Sequence, residues 1–346
     1  MYDRDTGTVT AALQSGNTAV FTDDTISKIL ALTTTDNNTV SYDLATPNAN
    51  GVVTVAAGAE LVLVTSSDTT QTLITPPANA PVLIFQGKGG VDVTINDGAT
   101  TVPAHPPGVT DRVVIGTAGN DHIVIADAKN TAVTLGTGHS TVVAGAGQDT
   151  ILAGLGNSTI SGGTGHAIVE LKGNAADYTV TVDNGHAVVT HAGDAHITDI
   201  TKIQYVQLDN GKALVFANDS QEAAVTTLYQ AAFGRDADAG GLDFYFKLAQ
   251  EGYSLKQIAQ LFMDSPENQP AAAQSDSDFI SNLYLHTFAR AGEADGVAYW
   301  TDALAHGATR AELVAAFANV AALNVDGSMH TEATVVGSVT IVHNIV

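Results

Sequence analysis

GTAGNDHIVIADAKNTAVTLGTGHSTVVAGAGQDTILAGLGNSTISGGTGHAIVE, residues 116–170, repeats itself with a period of nine. Written in nines it falls into GTAGNDHIV (116–124), ADAKNTAVT (126–134), LGTGHSTVV (135–143), AGAGQDTIL (144–152), AGLGNSTIS (153–161) and GGTGHAIVE (162–170), with Ile125 alone out of register. Glycine recurs at the second and fourth places, as Gly136 and Gly138, Gly145 and Gly147, Gly154 and Gly156, Gly163 and Gly165. An aliphatic residue recurs at the eighth, as Ile123, Val133, Val142, Ile151, Ile160 and Val169. Glycine permits a tight turn, and a short strand then carries the aliphatic side chain inward. No single turn buries its own apolar face, so stacked turns must supply the core.

The flanks read differently. Residues 1–112 hold β-branched runs such as GVVTVAAGAELVLVTSS and APVLIFQ, punctuated by Pro76, Pro77, Pro81, Pro103, Pro106 and Pro107. They predict an N-terminal β-domain, a sandwich or an irregular one. Residues 113–217 comprise the repeats and a following β-tail, with hairpin signals at Asn184–Gly185 and Asn210–Gly211 and a core pattern of Ile200, Ile203, Tyr205 and Val206. Over 218–328 the period becomes helical, and the stretch repeats itself at an offset of 55 residues: LYQAAFGR (228–235) against LYLHTFAR (283–290), GGLDFYF (240–246) against DGVAYWT (295–301). Ser254 and Thr309 stand where they can cap the last helix of each copy. Residues 329–346 end in an apolar strand containing Val335, Val339 and Ile341, which either packs back on its own chain or adds an edge strand to a neighbouring subunit. The expected class is therefore mixed and mainly β: an N-terminal β-domain, a parallel β-roll with its tail, an all-α domain and a C-terminal strand.

Composition narrows the function. Asp and Glu number 36 against 13 Lys and Arg, a formal charge of −23. A phosphate backbone needs a basic patch, so nucleic acid is not an expected partner, and anionic lipid is disfavoured for the same reason. Divalent cations are compatible with such a surface. There is no cysteine, which removes disulfides, thiol catalysis and cysteine-based zinc sites. The opening MYDRDTGTVTAALQSGN has neither a basic n-region nor an apolar h-region, and no run of about 18 apolar residues occurs, so neither a Sec signal peptide nor a membrane span is expected.

The nonapeptide pattern resembles G-G-x-G-x-D-x-U-x of the RTX (repeat-in-toxin) family, a calcium-binding parallel β-roll. That resemblance implies calcium held between turns by aspartates at the sixth place and by glycine carbonyls. The matching residues here are Asp121 and Asp149 with Gly119, Gly136, Gly138, Gly147, Gly163 and Gly165. The other sixth places carry Thr131, Ser140, Ser158 and Ala167, so the alternative is a roll in which hydroxyls satisfy the turn amides. The two aspartates lie three units apart and are not expected to share an ion. The helical copies resemble the domain of unknown function often fused to RTX repeats, with signature LYxxxxGRxPDxxGLxYW. Ala237 departs from its proline, and the second copy's loop reads Ala289–Arg290–Ala291–Gly292–Glu293. The apolar C-terminus looks like the uncleaved signal of type I secretion, which implies a secreted, extracellular or cell-surface protein.

No H-E-x-x-H and no G-x-S-x-G occurs, so the expected protein is not an enzyme. His122, His139 and His166 fall in the repeats, the latter two at the fifth, turn place; they read as solvated turn positions, with a histidine ladder for a transition metal as the alternative. Asp236 and Asp238 in GRDADAGGLDF echo the start of a calcium loop but lack its closing glutamate, and Arg235 with Asp236 reads rather as the tie of a helix–helix turn. Tyr245, Tyr299 and Trp300 read as core rather than a glycan platform. The expected function is a structural subunit that assembles with itself, aided by calcium, into a surface layer or extracellular fibre. The alternative is an adhesin or a binder of cell-surface polysaccharide.

Overall fold

A computed structural model describes residues 2–33, 38–101, 109–183, 186–269, 273–323, 334–336 and 339–342. The chain divides into two compact units, Met1–Gln207 and Leu208–Val346.

The first unit is built on two sheets whose strands alternate along the chain. One holds β1 (Tyr2–Asp5), β2 (Thr39–Ala45), β3 (Leu61–Thr65), β5 (Val82–Gln86), β7 (Arg112–Ile115), β9 (Thr131–Thr134), β11 (Gln148–Leu152), β13 (His166–Glu170) and β17 (Tyr205–Gln207), in that order. The other runs from β4 (Thr72–Ile74) through β6 (Val91–Ile95), β8 (His122–Ile125), β10 (Ser140–Val143), β12 (Ser158–Ser161) and β16 (Ile197–Thr201) to β15 (His186–His191) and β14 (Tyr178–Asp183). From β2 to β17 and from β4 to β16 the pairing is parallel, whereas β1–β2 and β14–β15–β16 are antiparallel. Each nonapeptide is half a coil. β8, β10 and β12 begin 18 residues apart, and each coil adds one strand spacing, about 4.8 Å.

Register explains the eighth-place aliphatics. In one sheet Val62, Leu83, Val114, Val133, Ile151, Val169 and Val206 face one another in a single row. In the other, Ile74, Val93, Ile123, Val142, Ile160 and Ile200 do the same. All of these side chains are buried. Burying a Val or Ile contributes roughly 1.5–3 kcal/mol, so the two rows hold the coils together far more strongly than any turn contact.

The residues 39–95, expected as a separate sandwich or irregular domain, instead form strands of the same stack. β5 pairs with β7 as Val82↔Val113 through Ile84↔Ile115, so the expected boundary at 112 falls inside the first compact unit. Their coils are longer and only the turn at Gly87 and Gly89 carries the paired glycines, which hides the period. The outer face of this part is also apolar. Val40, Leu61, Val82, Ile84, Val113 and Ile115 are covered by α1 (Thr6–Gln14) and α2 (Asp23–Thr33), two helices that the sequence pattern does not announce. A parallel sheet buried on both faces reads as unbroken apolar runs such as VLIF, not as an alternation.

In the second unit β18 (Ala213–Phe216) pairs in parallel with β20 (Val339–Val342), which β19 (Thr334–Val336) flanks antiparallel. Two three-helix copies follow β18 in the chain: α3 (Ser220–Phe233), α4 (Ala239–Gln250) and α5 (Leu255–Asp264), then α6 (Asp276–Phe288), α7 (Ala294–Ala305) and α8 (Arg310–Ala322). Ser254 and Thr309 each close a capping box on the last helix of their copy, as expected. The copies share an aromatic box: Tyr229 lies 4.8 Å edge-on to Phe262, and Tyr284 lies 4.9 Å edge-on to Phe317. Among the described residues no helix is long and apolar enough to cross a membrane.

The turn glycines are required by close approach. A Cβ on Gly136 would lie 1.8 Å from the Thr117 carbonyl oxygen, and one on Gly154 would lie 1.8 Å from that of Gly136. Gly154→Ala is therefore expected to lower stability by roughly 1–3 kcal/mol through forced separation of coils, and Ile151→Ala by roughly 2–5 kcal/mol through the cavity it leaves. Urea unfolding followed by circular dichroism checks both; a Gly154→Ala midpoint equal to wild type would contradict the stacking.

Candidate functional site

The sixth places of the repeat line the inside of the roll beside the aliphatic rows. Asp121, Thr131, Ser140, Asp149 and Ser158 are all buried. The two aspartates do the same work in opposite sheets. Asp149 accepts from the amide of Gly145, four residues back, at 2.7 Å, and from that of Thr131, one coil back, at 3.0 Å. Asp121 accepts from the amide of Thr117, four residues back, at 2.8 Å, from its hydroxyl at 2.7 Å, and from the amide of Val91 in the preceding coil at 3.0 Å. Each carboxylate thus closes its own turn and ties it to the coil before. Burial pushes the Asp149 carboxyl up to about 6 and raises that of Asp121 as well, against the amides that favour the charged form.

These donors do not fit a calcium ion caged between coils. Calcium takes six to eight oxygens, yet both oxygens of each aspartate already receive backbone or hydroxyl hydrogens. Asp121 and Asp149 stand in different sheets, and Asp149 has Ala167 as its neighbour in the next coil. The turn carbonyls are engaged too: Gly136 O accepts from Leu155 N at 3.1 Å and Gly147 O from His166 N at 3.1 Å. The glycines expected as ligands stack on one another instead, Gly138 on Gly119, Gly163 on Gly145 and Gly165 on Gly147.

A buried ion pair that the sequence pattern did not single out anchors the middle of the roll. The Arg112 guanidinium donates to Asp127 through Nη2 at 2.7 Å and Nη1 at 2.9 Å, and Nη2 also reaches Thr131 Oγ1 at 2.9 Å. Burial opposes the Asp127 charge, but the Arg112 guanidinium outweighs it and holds the carboxyl down at about 2. Asp127 stands at the second place of its nonapeptide, where four of the units carry glycine, and that departure was the available signal.

In the helical unit Asp238 caps α4. Its Oδ1 accepts from Gly241 N at 2.8 Å and its Oδ2 meets Arg235 at 3.2 Å. Asp236 lends its carbonyl to the same guanidinium at 2.9 Å. The loop ties two helices through Arg235. The second copy keeps the tie despite its altered sequence, with Arg290 on Glu293 at 2.5 Å. Tyr245 and Trp300 pack into the two aromatic boxes, but their neighbours Phe244 and Tyr299 are 55% and 64% exposed. Each of these outer rings meets the inner one edge-on, at 5.0 Å and 4.9 Å. Of the C-terminal strand, Val339 pairs with Ala213 and the buried Ile341 with Val215 in the same chain, while Val335 pairs with Thr340 across β19–β20.

One further cluster lies at the β15–β16 turn. His191 and His196 face each other across it, their rings stacked at 4.9 Å and 19°. Asp194 in the turn places Oδ1 2.7 Å from Nδ1 of His191 and 2.5 Å from Nδ1 of His196. The hydrogen bond with His191, then those with His196, hold the Asp194 carboxyl down at about 2. The spacing H-x-x-D-x-H in HAGDAH, between two strands, was the signal the sequence carried for it.

The helical unit is, by its own geometry, a tandem repeat of a three-helix module closed by an arginine–carboxylate tie. A family model described as a domain of unknown function, DUF4214, matches residues 213–272 and a second time residues 269–322, so a DUF4214 domain lies in the C-terminal region. No curated protein and no solved structure matches the chain.

Asp149 supplies a pH test. Its folded value of about 6 lies above the ordinary 3.8, so the folded state holds the proton more tightly. Its contribution to stability is full below pH 4 and is lost as pH rises through 6. A rise of that size is worth on the order of 3 kcal/mol. Asp149→Asn should flatten the stability profile between pH 4 and 7 relative to wild type, measured by urea unfolding; superimposable profiles would contradict the burial of this charge.

Proposed function

We propose that the chain is a structural subunit of a self-assembling bacterial surface layer or extracellular fibre. The observation that carries this reading is the uninterrupted register of the roll, from Val62 to Val206 in one sheet and from Ile74 to Ile200 in the other. Stacked coils make a quasi-one-dimensional body whose repeating units hold shape. In the repeats, the inward side chains go to packing and turn closure. The first sheet ends in β1, whose four residues are exposed, whereas β4 at the end of the second is partly covered by Gly51–Val53. Exposed strand edges are templates for pairing with another copy. The terminal strand carrying Val335, Val339 and Ile341 is a second candidate for exchange, because what pairs with β18 within one chain can pair with β18 of another.

Secretion by the type I route and calcium assistance belong to the same proposal. A charge of −23 opposes close packing of copies. Extracellular calcium would act by screening and bridging surface carboxylates rather than from a cage within the coils.

A second reading, binding of cell-surface polysaccharide, is favoured by one observation. Phe244 and Tyr299 stand at equivalent places in the two helical copies, each exposed and each backed by a packed ring. Flat exposed rings are the surfaces on which sugar rings stack.

Size-exclusion chromatography and negative-stain microscopy of the purified chain, in calcium and in EGTA, distinguish the readings. Ordered polymers that grow with calcium are the expected result. Monomer under both conditions overturns assembly, and glycan-array binding lost in Phe244→Ala with Tyr299→Ala would then establish the second reading.

A further inference from the structure

We propose that His191, Asp194 and His196 form a binding site for a first-row divalent transition metal, of which zinc is the probe of choice. Two imidazole nitrogens and one carboxylate oxygen, all within 4.8 Å of one another, converge from a single hairpin turn. The backbone sets them there. His191 N donates to His196 O at 3.0 Å, which puts the two imidazoles on the same cross-strand pair, and Ala195 N donates to His191 O at 2.9 Å, which closes the turn. Ala195 takes a left-handed conformation, φ 59°, that turns Asp194 back over the histidines. The Tyr178 ring lies 5.3 Å from that of His191 and supports it from β14.

The donor set decides the class of ion. Calcium and magnesium take oxygen ligands, whereas imidazole with carboxylate suits zinc and its first-row neighbours. A zinc ion sits about 2.0–2.2 Å from such donors, which places neighbouring donors roughly 3.3–3.6 Å apart. Both Nδ1 atoms now point at one carboxylate oxygen at 2.5–2.7 Å. An opening of about an ångström exchanges two hydrogen bonds for three metal bonds. His196 is mostly buried, but Asp194 is 57% exposed, so the remaining coordination positions face solvent. That is an open site, able to take water or a donor from outside, and unlike the closed four-ligand sites that only hold a fold. Elsewhere on the roll His122 pairs with Asp92 and His186 with Asp199. Each of those is a single imidazole beside a single carboxylate, and only the 191–196 turn gathers three ligands among the described residues. Metal binding at this turn is independent of whether the chain assembles.

Isothermal titration of the full chain, stripped by chelator and carrying no tag, with zinc chloride tests it. One ion per chain at micromolar affinity or tighter is expected. Asp194→Asn should weaken it at least tenfold, and His191→Ala with His196→Ala should abolish it, while millimolar calcium leaves it unchanged. In the wild-type chain, zinc must also shift the imidazole nitrogen resonances of His191 and His196 before those of the other histidines, a readout independent of how the variants fold. No uptake, uptake unchanged in the double variant, or first shifts at other histidines would each overturn the site.

Discussion

Stacked turns in this protein approach so closely that no side chain fits between them. The carbonyl of one turn lies where the Cβ of the next would be, as Gly136 O does beneath Gly154. This single constraint places glycine at the second and fourth positions of the repeat. In the repeats two turns and two strands take 18 residues and return the chain one strand spacing higher. With the turns so fixed, the eighth-place residue always faces inward, and its aliphatic side chain always meets the same row. The hydrophobic rows then supply the stability that no isolated coil has.

Inside the coils, polarity is handled by closure rather than exposure. Asp121 and Asp149 bridge the amides of two successive coils, and Arg112 with Asp127 and Thr131 forms a buried, mutually bonded group. A buried charge depends on its hydrogen-bonded partners, which both Nη atoms of Arg112 have, while its Nε is buried without one. Arg112 opens β7, beyond the last long coil of the N-terminal part, and Asp127 stands in the turn before β9. The ion pair therefore lies where the irregular coils give way to the regular ones.

Legibility in the sequence followed the strength of each local constraint. The repeats of 116–170 announced their strands and inward residues, because glycine and aliphatic positions are forced by the stack. The helical copies were legible from the 3.6-residue period and the 55-residue offset, and their capping residues Ser254 and Thr309 perform as read. Residues 39–95 were legible as strands but not as coils. Their coils are longer, only the turn at Gly87 and Gly89 keeps paired glycines, and strands such as VLIF are apolar on both faces, so no period of nine survives. α1 and α2 were missed because TGTVTAALQ and DDTISKILALT are short and rich in β-branched residues; the apolar outer face of the sheet makes them helices. Of the candidate ligands, Asp121, Asp149, Asp236 and Asp238 were picked out by type, but their hydrogen-bond partners are set by coil register and helix ends. The His191–Asp194–His196 group went unread because its convergence depends on the turn conformation at Ala195.

One continuous parallel stack runs from the N-terminal strands through the repeats. Leu73, Asp92, His122, Thr141, Thr159 and Asp199 stand in one register row across six strands of the second sheet. The chain has no cysteine, so Leu73→Cys with Asp199→Cys gives two unique spin-label sites. Five strand spacings place the two Cα atoms roughly 24 Å apart. Double electron–electron resonance should return a single narrow distribution consistent with that separation. A broad distribution, or one centred well beyond it, would mean that the N-terminal strands form a body of their own.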